Sequence, residues 1–234
     1  MSEPQFPPLL TGLDAEGRDP FVLACEMAEA GCDAGTVVHS VQADRLRAAV
    51  IFAPEVPLAE AAAMLVVCGV GLQNALGALA PPEVAVHLQW DGRVRVNGGS
   101  CGALTLFANT LNPDEIPGWL VVGVDLALIR LVEAPGDTPD VTSLYDEGCA
   151  EIDPVGLLEA YARHMLVWLN RWSDEGNRPL HAEWSGLVWG VNEAAEVAGR
   201  AGTFMGTDER FGMLLRDGDT THLVPLAALV EEGP

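Results

Sequence analysis

Arg45 and Arg47 flank the start of an apolar run, and a guanidinium fork is shaped to hold a phosphate or carboxylate through two parallel hydrogen bonds. The same pair also reads as edge-strand charges beside a turn. Cys101 is the candidate for covalent chemistry. A cysteine attacks only as its thiolate, and His87 lies on a neighbouring strand one hairpin away. The competing reading is an inert thiol next to a strand glycine. Asp125 sits in a strongly apolar segment, where a carboxylate needs a partner, so it marks either a pocket or the wet end of a strand. Asn97, Gly98 and Gly102 fit turn geometry, and Gly102 also lets a ligand approach the backbone closely. His39 and His164 stand alone and read as core or surface groups. There is no Cys-x-x-Cys pair and no Cys/His cluster at zinc spacing, so no metal site is expected.

The chain that must position these groups has 234 residues, 49% hydrophobic and 20% charged, enough for a sizeable core in one or two domains. Acidic residues outnumber basic ones by 34 to 12, a formal net charge of −22. That balance repels nucleic acid and anionic membrane surfaces, leaving small molecules and proteins as partners. Five cysteines without regular spacing argue against a disulfide framework. Residues 1–5 carry no basic or apolar leader, and no apolar stretch reaches about 18 residues free of Gly or charge. A cytoplasmic protein is the expectation.

Asp19-Pro20 starts a helix running to about Ala30, because Asp caps free amides and Pro tolerates the first helical position. Thr36–Ser40 and Arg47–Phe52 read as strands. Pro57 opens a long helix whose apolar face recurs through Leu65, Cys68, Leu72 and Leu79, and Pro81-Pro82 ends it. Val84–Trp90 alternates with a period of two, Asp91-Gly92 turns the chain, Arg93–Asn97 returns, Gly98-Gly99 turns again and Cys101–Phe107 follows. Trp119–Leu128 is a further strand. This is a meander, which excludes a doubly wound nucleotide-binding sheet. Asp153-Pro154 opens a second long helix that ends near Gly176. Beyond Pro179 the spacing predicts short strands over Glu183–Val191, Gly202–Gly206, Phe211–Arg216 and His222–Pro225, a small barrel. The division is an α+β domain over 1–182 and a barrel over 183–234, with a flexible acidic loop at Glu133–Asp140.

Four segments carry a further likeness: Val86-His87-Leu88-Gln89-Trp90-Asp91-Gly92, the hairpin Val96-Asn97-Gly98, Cys101-Gly102-Ala103-Leu104, and Leu120-Val121-Val122-Gly123-Val124-Asp125-Leu126. In that order they resemble the biotin and lipoate protein ligases, with their K-W-P-N-D strand, their Gly-hydrophobic-Leu step and their V-x-G-x-G-x-N strand. The helix Leu157–Trp172 with Gly176 and Glu183-Trp184 looks like that family's exit into a C-terminal barrel. The resemblance implies a class II synthetase-type mixed sheet flanked by helices, with a small SH3-like barrel behind it. It implies ATP-dependent activation of biotin or lipoate as an acyl-adenylate and transfer to a lysine of a carrier protein. It implies ligand contacts at Gln42, Arg45, Arg47, Gln89, Trp90, Asn97, Gly98, Gly102, Leu104, Gly123 and Asp125.

The departures concern charge. Gln42-Ala43-Asp44-Arg45-Leu46-Arg47 stands where the family has its glycine- and arginine-rich loop, Gln89 replaces the K-W-P-N-D lysine, and Asp91-Gly92 replaces P-N-D. Gly99 falls where the family's lysine, three residues before Gly102, holds carboxylate and α-phosphate together; losing one such preorganised contact costs roughly 3–4 kcal/mol of transition-state stabilisation. Some transferases of this superfamily work through a cysteine thioester, which puts Cys101 in the matching strand. Three readings therefore compete: a catalytically degenerate binding protein that keeps an acyl pocket, an altered acyltransferase using Cys101, and a protein-interaction module on a ligase scaffold. The expected ligand is a small apolar carboxylic acid, biotin, lipoate and ATP being implied by resemblance alone. A carrier partner and a homodimer stay open.

Overall fold

Asp19 caps the first helix as the Asp-Pro pair predicts: its carboxylate accepts the N–H of Phe21 at 2.8 Å and of Val22 at 3.3 Å. The structure, a computed structural model, describes residues 3–130, 140–197 and 199–233, so the acidic loop expected over 133–140 lies outside the described residues except for Asp140. The chain begins with strand β1 (Thr11–Asp14), helix α1 (Pro20–Glu29), β2 (Thr36–Val41) and β3 (Arg45–Phe52). The run after Pro57 forms two helices, α2 (Leu58–Ala61) and α3 (Met64–Leu79). The meander follows as β4 (Val86–Leu88), β5 (Arg93–Val96) and β6 (Gly99–Ala108). Its second turn falls on Asn97-Gly98, one residue before the expected Gly98-Gly99, because Asn97 and Gly98 both take positive φ, 48° and 88°. Next come β7 (Leu120–Ala127) and α4 (Pro154–Glu175), which Asp153 caps by accepting the Gly156 N–H at 2.9 Å.

The strands form one mixed sheet in the order β1-β2-β3-β7-β6-β5-β4, with β1 parallel to β2 and the other neighbours along that order antiparallel. Two apolar layers sandwich it. On one face α3 and α4 bury the main core against Val50, Leu106, Val122 and Leu126. Gly71 lets these two helices touch: a Cβ at that position would lie 2.7 Å from the Met165 Cα. The segment Leu58–Leu79 matches a membrane span in length and hydropathy, yet 72% of its most apolar window is buried inside the protein. On the other face α1 packs over β2, β3 and β7 around Ala24, Cys25, Ala49, Ile51 and Val121.

The spacing predicts a strand over Glu183–Val191, but the chain there is helix α5 (Asn177–Leu187). Leu180 and Trp184, four residues apart, are both buried in the main core, and that helical spacing outweighs local strand propensity. Then β8 (Ala194–Val197), β9 (Arg200–Thr207), β10 (Met213–Asp217) and β11 (Thr220–Val224) form a four-stranded antiparallel sheet. Its Phe204, Phe211, Met213 and Leu215 join the main core beside Trp90, whose indole N–H donates to the Phe211 carbonyl at 2.7 Å. The last strand, β12 (Val230–Glu232), returns to pair in parallel with β6. The architecture is α+β: a large mixed sheet flanked by helices, with a smaller C-terminal sheet docked on its core.

Candidate functional site

Strand register puts Ser40, Arg47, Asp125, Ala103 and Arg93 in one row across the sheet, directly opposite one another and therefore on one face, the face that α1 covers in part. Asp125 lies between two arginines. Arg45 Nε is 2.5 Å from its Oδ1, and Arg47 Nε is 3.3 Å from its Oδ2. Arg47 also donates from Nη2 to Asp19 at 2.8 Å, and its guanidinium rides 4.4 Å from the centre of the Phe21 ring. The partner that a carboxylate in this apolar strand requires is thus present twice over. Burial pushes the Asp19 carboxyl up, but the Arg47 hydrogen bond, the Phe21 and Val22 amides and the Arg47 charge outweigh it and hold it below the ordinary carboxylate value. The hydrogen bond to Asp125 raises Arg45, against partial desolvation. The two arginines shaped to grip an anion already hold carboxylates of their own.

Phe21 fills the space above Gly123: a Cβ added there would lie 3.0 Å from the ring. Asp19 and Phe21 were not among the candidate residues, since their role arises from α1 folding back over the sheet. Gln42 makes the tight turn with Arg45 and is exposed at its rim, its side chain 3.5 Å from the Ser40 hydroxyl.

A second constellation forms on the same face towards β4 and β5. Arg95, opposite both His87 and Ser100, donates from Nε to Gln89 Oε1 at 2.9 Å and from Nη1 to the Gly98 carbonyl at 2.5 Å. Trp189 lies against it, 5.4 Å from guanidinium carbon to ring centre, and meets His87 edge-on at 5.2 Å. Gln89, Trp90 and Trp189 also line a cavity of about 240 Å³ between the β4–β5 hairpin and the C-terminal sheet. The alternation Arg93-Val94-Arg95-Val96 was the signal that could have placed Arg95 on this face.

The remaining candidates are placed elsewhere. Leu104 is buried in the main core, and Gly102 faces that side, where a Cβ would press on the Asp125 carbonyl and the Leu126 side chain. Trp90 is buried and spends its N–H on Phe211, and the void beneath the hairpin at Leu88, Trp90 and Leu104 is about 10 Å³, no more than a water's worth. Asn97 is held by structure: it accepts the Ala85 N–H and donates to Glu147. Cys101 is buried in the main core with Sγ directed at the Ala127 carbonyl, while His87 is on the opposite face beside Trp189. Burial first, then the nearby Cys149, Glu147 and Asp146, pushes its thiol up to about 12, the reverse of an activated thiolate. Gly99 is opposite the core residue Val96, and a Cβ there would lie 2.8 Å from Thr142 Cγ2. A lysine at that position would meet Thr142 rather than face Arg47; the residue on the shared face is Ser100. All 12 basic residues are arginine, so no lysine elsewhere can substitute.

The family model for the biotin/lipoate A/B protein ligases matches residues 6–186. The chain belongs to that family. A domain of unknown function matches residues 191–232, the C-terminal sheet and β12. A biotin--[acetyl-CoA-carboxylase] ligase of Paracoccus denitrificans is 26% identical over 175 residues, 71% of this chain and 72% of that protein. A biotin protein ligase-like protein of unknown function from Silicibacter sp. TM1040 is 57% identical, with a TM-score of 0.93 over 98% of this chain and all of that one. The biotin protein ligase of Aquifex aeolicus shares the fold at 15% identity, with a TM-score of 0.73 over 92% of this chain and 95% of that one. The family match spans β1 to α5, and the likeness of fold continues through the C-terminal sheet to β12.

Proposed function

We propose that the protein is a binding member of the biotin/lipoate ligase family that has lost adenylate formation and retains a site for a small carboxylic acid. The network Arg45–Asp125–Arg47–Asp19 carries the proposal. Two guanidinium groups that would otherwise receive phosphates are neutralised by carboxylates 2.5–3.3 Å away. The absence of lysine supports it, because the compact, flexible ammonium that the resemblance assigns to the carboxylate and α-phosphate has no counterpart in this chain. Phe21 over Gly123 closes part of the same face. A cavity of about 240 Å³ lies beside Gln89 and Trp189; Asp91, paired with Arg93, and Glu193 and Glu196 line its other side, so an acid's carboxylate is best received at the Gln89–Trp189 side.

Thermal-shift titration tests this. A ligand that binds only the folded state stabilises it by RT ln(1 + [L]/Kd), about 2.7 kcal/mol at a hundred times Kd. Biotin, lipoate or octanoate raises the melting temperature and ATP alone does not. Stabilisation by ATP alone, or acid-dependent pyrophosphate exchange at the rate of an active ligase, overturns the proposal.

A further inference from the structure

On this face of the sheet Arg45, Arg47 and Arg93 each lie within 3.3 Å of a carboxylate. Arg95, on the same face, does not. It is half-buried, and its ordered contacts are to neutral groups, the Gln89 amide oxygen and the Gly98 carbonyl, with the Trp189 ring against it. Among the described residues no carboxylate lies within ion-pair distance of it, and its Nη2 amino group has no acceptor. Asp125 and Asp19 answer Arg45 and Arg47 at the other end of this face and Asp91 answers Arg93, which leaves Arg95 as the face's uncompensated arginine among the described residues.

Its orientation is fixed. Nε and Nη1 are both committed, one to the hairpin's first turn through Gln89 and one to its second through Gly98, so the guanidinium plane spans the two turns of the meander. Beside it the imidazole of His87 has a buried Nδ1 with no protein partner, and Trp189 provides a flat apolar wall. A fork held by neutral acceptors, with a free amino edge and an aromatic flank, is the arrangement that recognises an oxyanion attached to an apolar body.

We propose that Arg95, which lies behind the cavity-lining Gln89 and Trp189, is the anion anchor of this site, taking the carboxylate of the small acid, or inorganic phosphate as a probe, through its free Nη2 edge, with Gln89 as the residue that positions it. This rests on the acid-binding reading above, and the two fail differently. Wild type, Arg95→Gln and Arg95→Lys are titrated by calorimetry with biotin, lipoate and octanoate, with the corresponding neutral amides, and with inorganic phosphate; circular dichroism and melting temperature show that each variant is folded. The expected result is binding of at least one acid by wild type, at least tenfold weaker binding of its amide, at least tenfold weaker binding of the acid to Arg95→Gln, and partial recovery in Arg95→Lys. Phosphate binding that depends on Arg95 while no acid binds supports the anchor and overturns the acid reading. Acid binding equally tight in Arg95→Gln overturns the anchor and leaves the acid reading standing. No Arg95-dependent binding of any acid or of phosphate overturns the anchor as well.

Discussion

Replacing Asp125 with Asn removes one negative charge from between two guanidinium groups while keeping the shape of the side chain. The stability cost is small. Arg45 is 56% exposed, so its pair with Asp125 is worth about 1 kcal/mol at most, and Arg47 keeps its second partner, Asp19. A loss of about 1 kcal/mol lowers the melting temperature of a chain this size by roughly 2–4 °C. The gain in anion affinity is larger. An anion seated on Arg47 would lie about 5 Å from the Asp125 carboxylate, and at an effective dielectric of about 20 that repulsion is roughly 3 kcal/mol. Solvent around Arg45 screens part of it, so the expected gain is about ten- to a hundredfold. Calorimetry with pyrophosphate and with ATP in low salt reads this directly. Both proteins carry Arg95→Gln, so that anchor contributes nothing: with Asp125 intact there is no saturable heat, whereas with Asp125→Asn the protein binds, and binds more weakly as salt is raised. Binding of pyrophosphate with Asp125 intact as tight as with Asp125→Asn would show that the carboxylate does not close this face, and the reasoning would fail.

Three further outcomes follow from the packing and the charges. Cys101, with its thiol pushed up to about 12 in the main core, stays unlabelled by iodoacetamide at pH 8 in the folded protein, whereas half-buried Cys32 reacts first; mass spectrometry of the labelled peptides distinguishes the two, and rapid labelling at Cys101 would reopen the thioester reading. Gly71→Ala destabilises by about 1–3 kcal/mol because its Cβ would strike the α4 backbone 2.7 Å away, while Gly77→Ala, on the same helix with only the Gln73 side chain 3.9 Å off, stabilises by up to about 1 kcal/mol through helix propensity; denaturant unfolding of both checks the opposite signs. Because the folded Asp19 carboxyl titrates below its ordinary value, its stabilising effect is fully present above the unfolded value near 4 and disappears as pH falls through the lower folded value. The melting-temperature gap between wild type and Asp19→Asn is therefore constant above about pH 5 and closes towards pH 3, and a gap unchanged at pH 3 would contradict the ion-paired cap.

The elements that the residues announce locally appear at or within a residue of where they are expected. Asp19-Pro20 and Asp153-Pro154 carry their own capping carboxylate, and Gly92 and the pair Asn97-Gly98 carry the positive φ of their turns, so each needs nothing distant to act. The failure at Glu183–Val191 has the opposite character. Gly186 and Gly190 suggest a broken strand, but Leu180 and Trp184 are helix-spaced anchors whose value depends on a core assembled from α3 and α4, which no short window contains. β1 has no local signature for a related reason: Thr11-Gly12-Leu13-Asp14 is exposed throughout and becomes a strand by pairing in parallel with β2.

The site was legible as positions and not as a circuit. Alternation and a family likeness identify Arg45, Arg47, Asp125 and Gln89, but what those residues can do depends on pairings 28 and 80 residues apart, Arg47 with Asp19 and Arg45 with Asp125. Those pairings reverse the first inference. Two arginines that look ready for a phosphate are occupied, and a carboxylate that looks unsupported is the group occupying them. Arg95, unremarked in a hairpin, is the arginine of this sheet face left unpaired, because its strand neighbours offer a glutamine oxygen and a carbonyl where Arg45, Arg47 and Arg93 are offered carboxylates. In a chain with 34 acidic side chains, the placement of acids decides which arginines remain free to bind anything else, and that placement is a property of the folded register rather than of the local sequence.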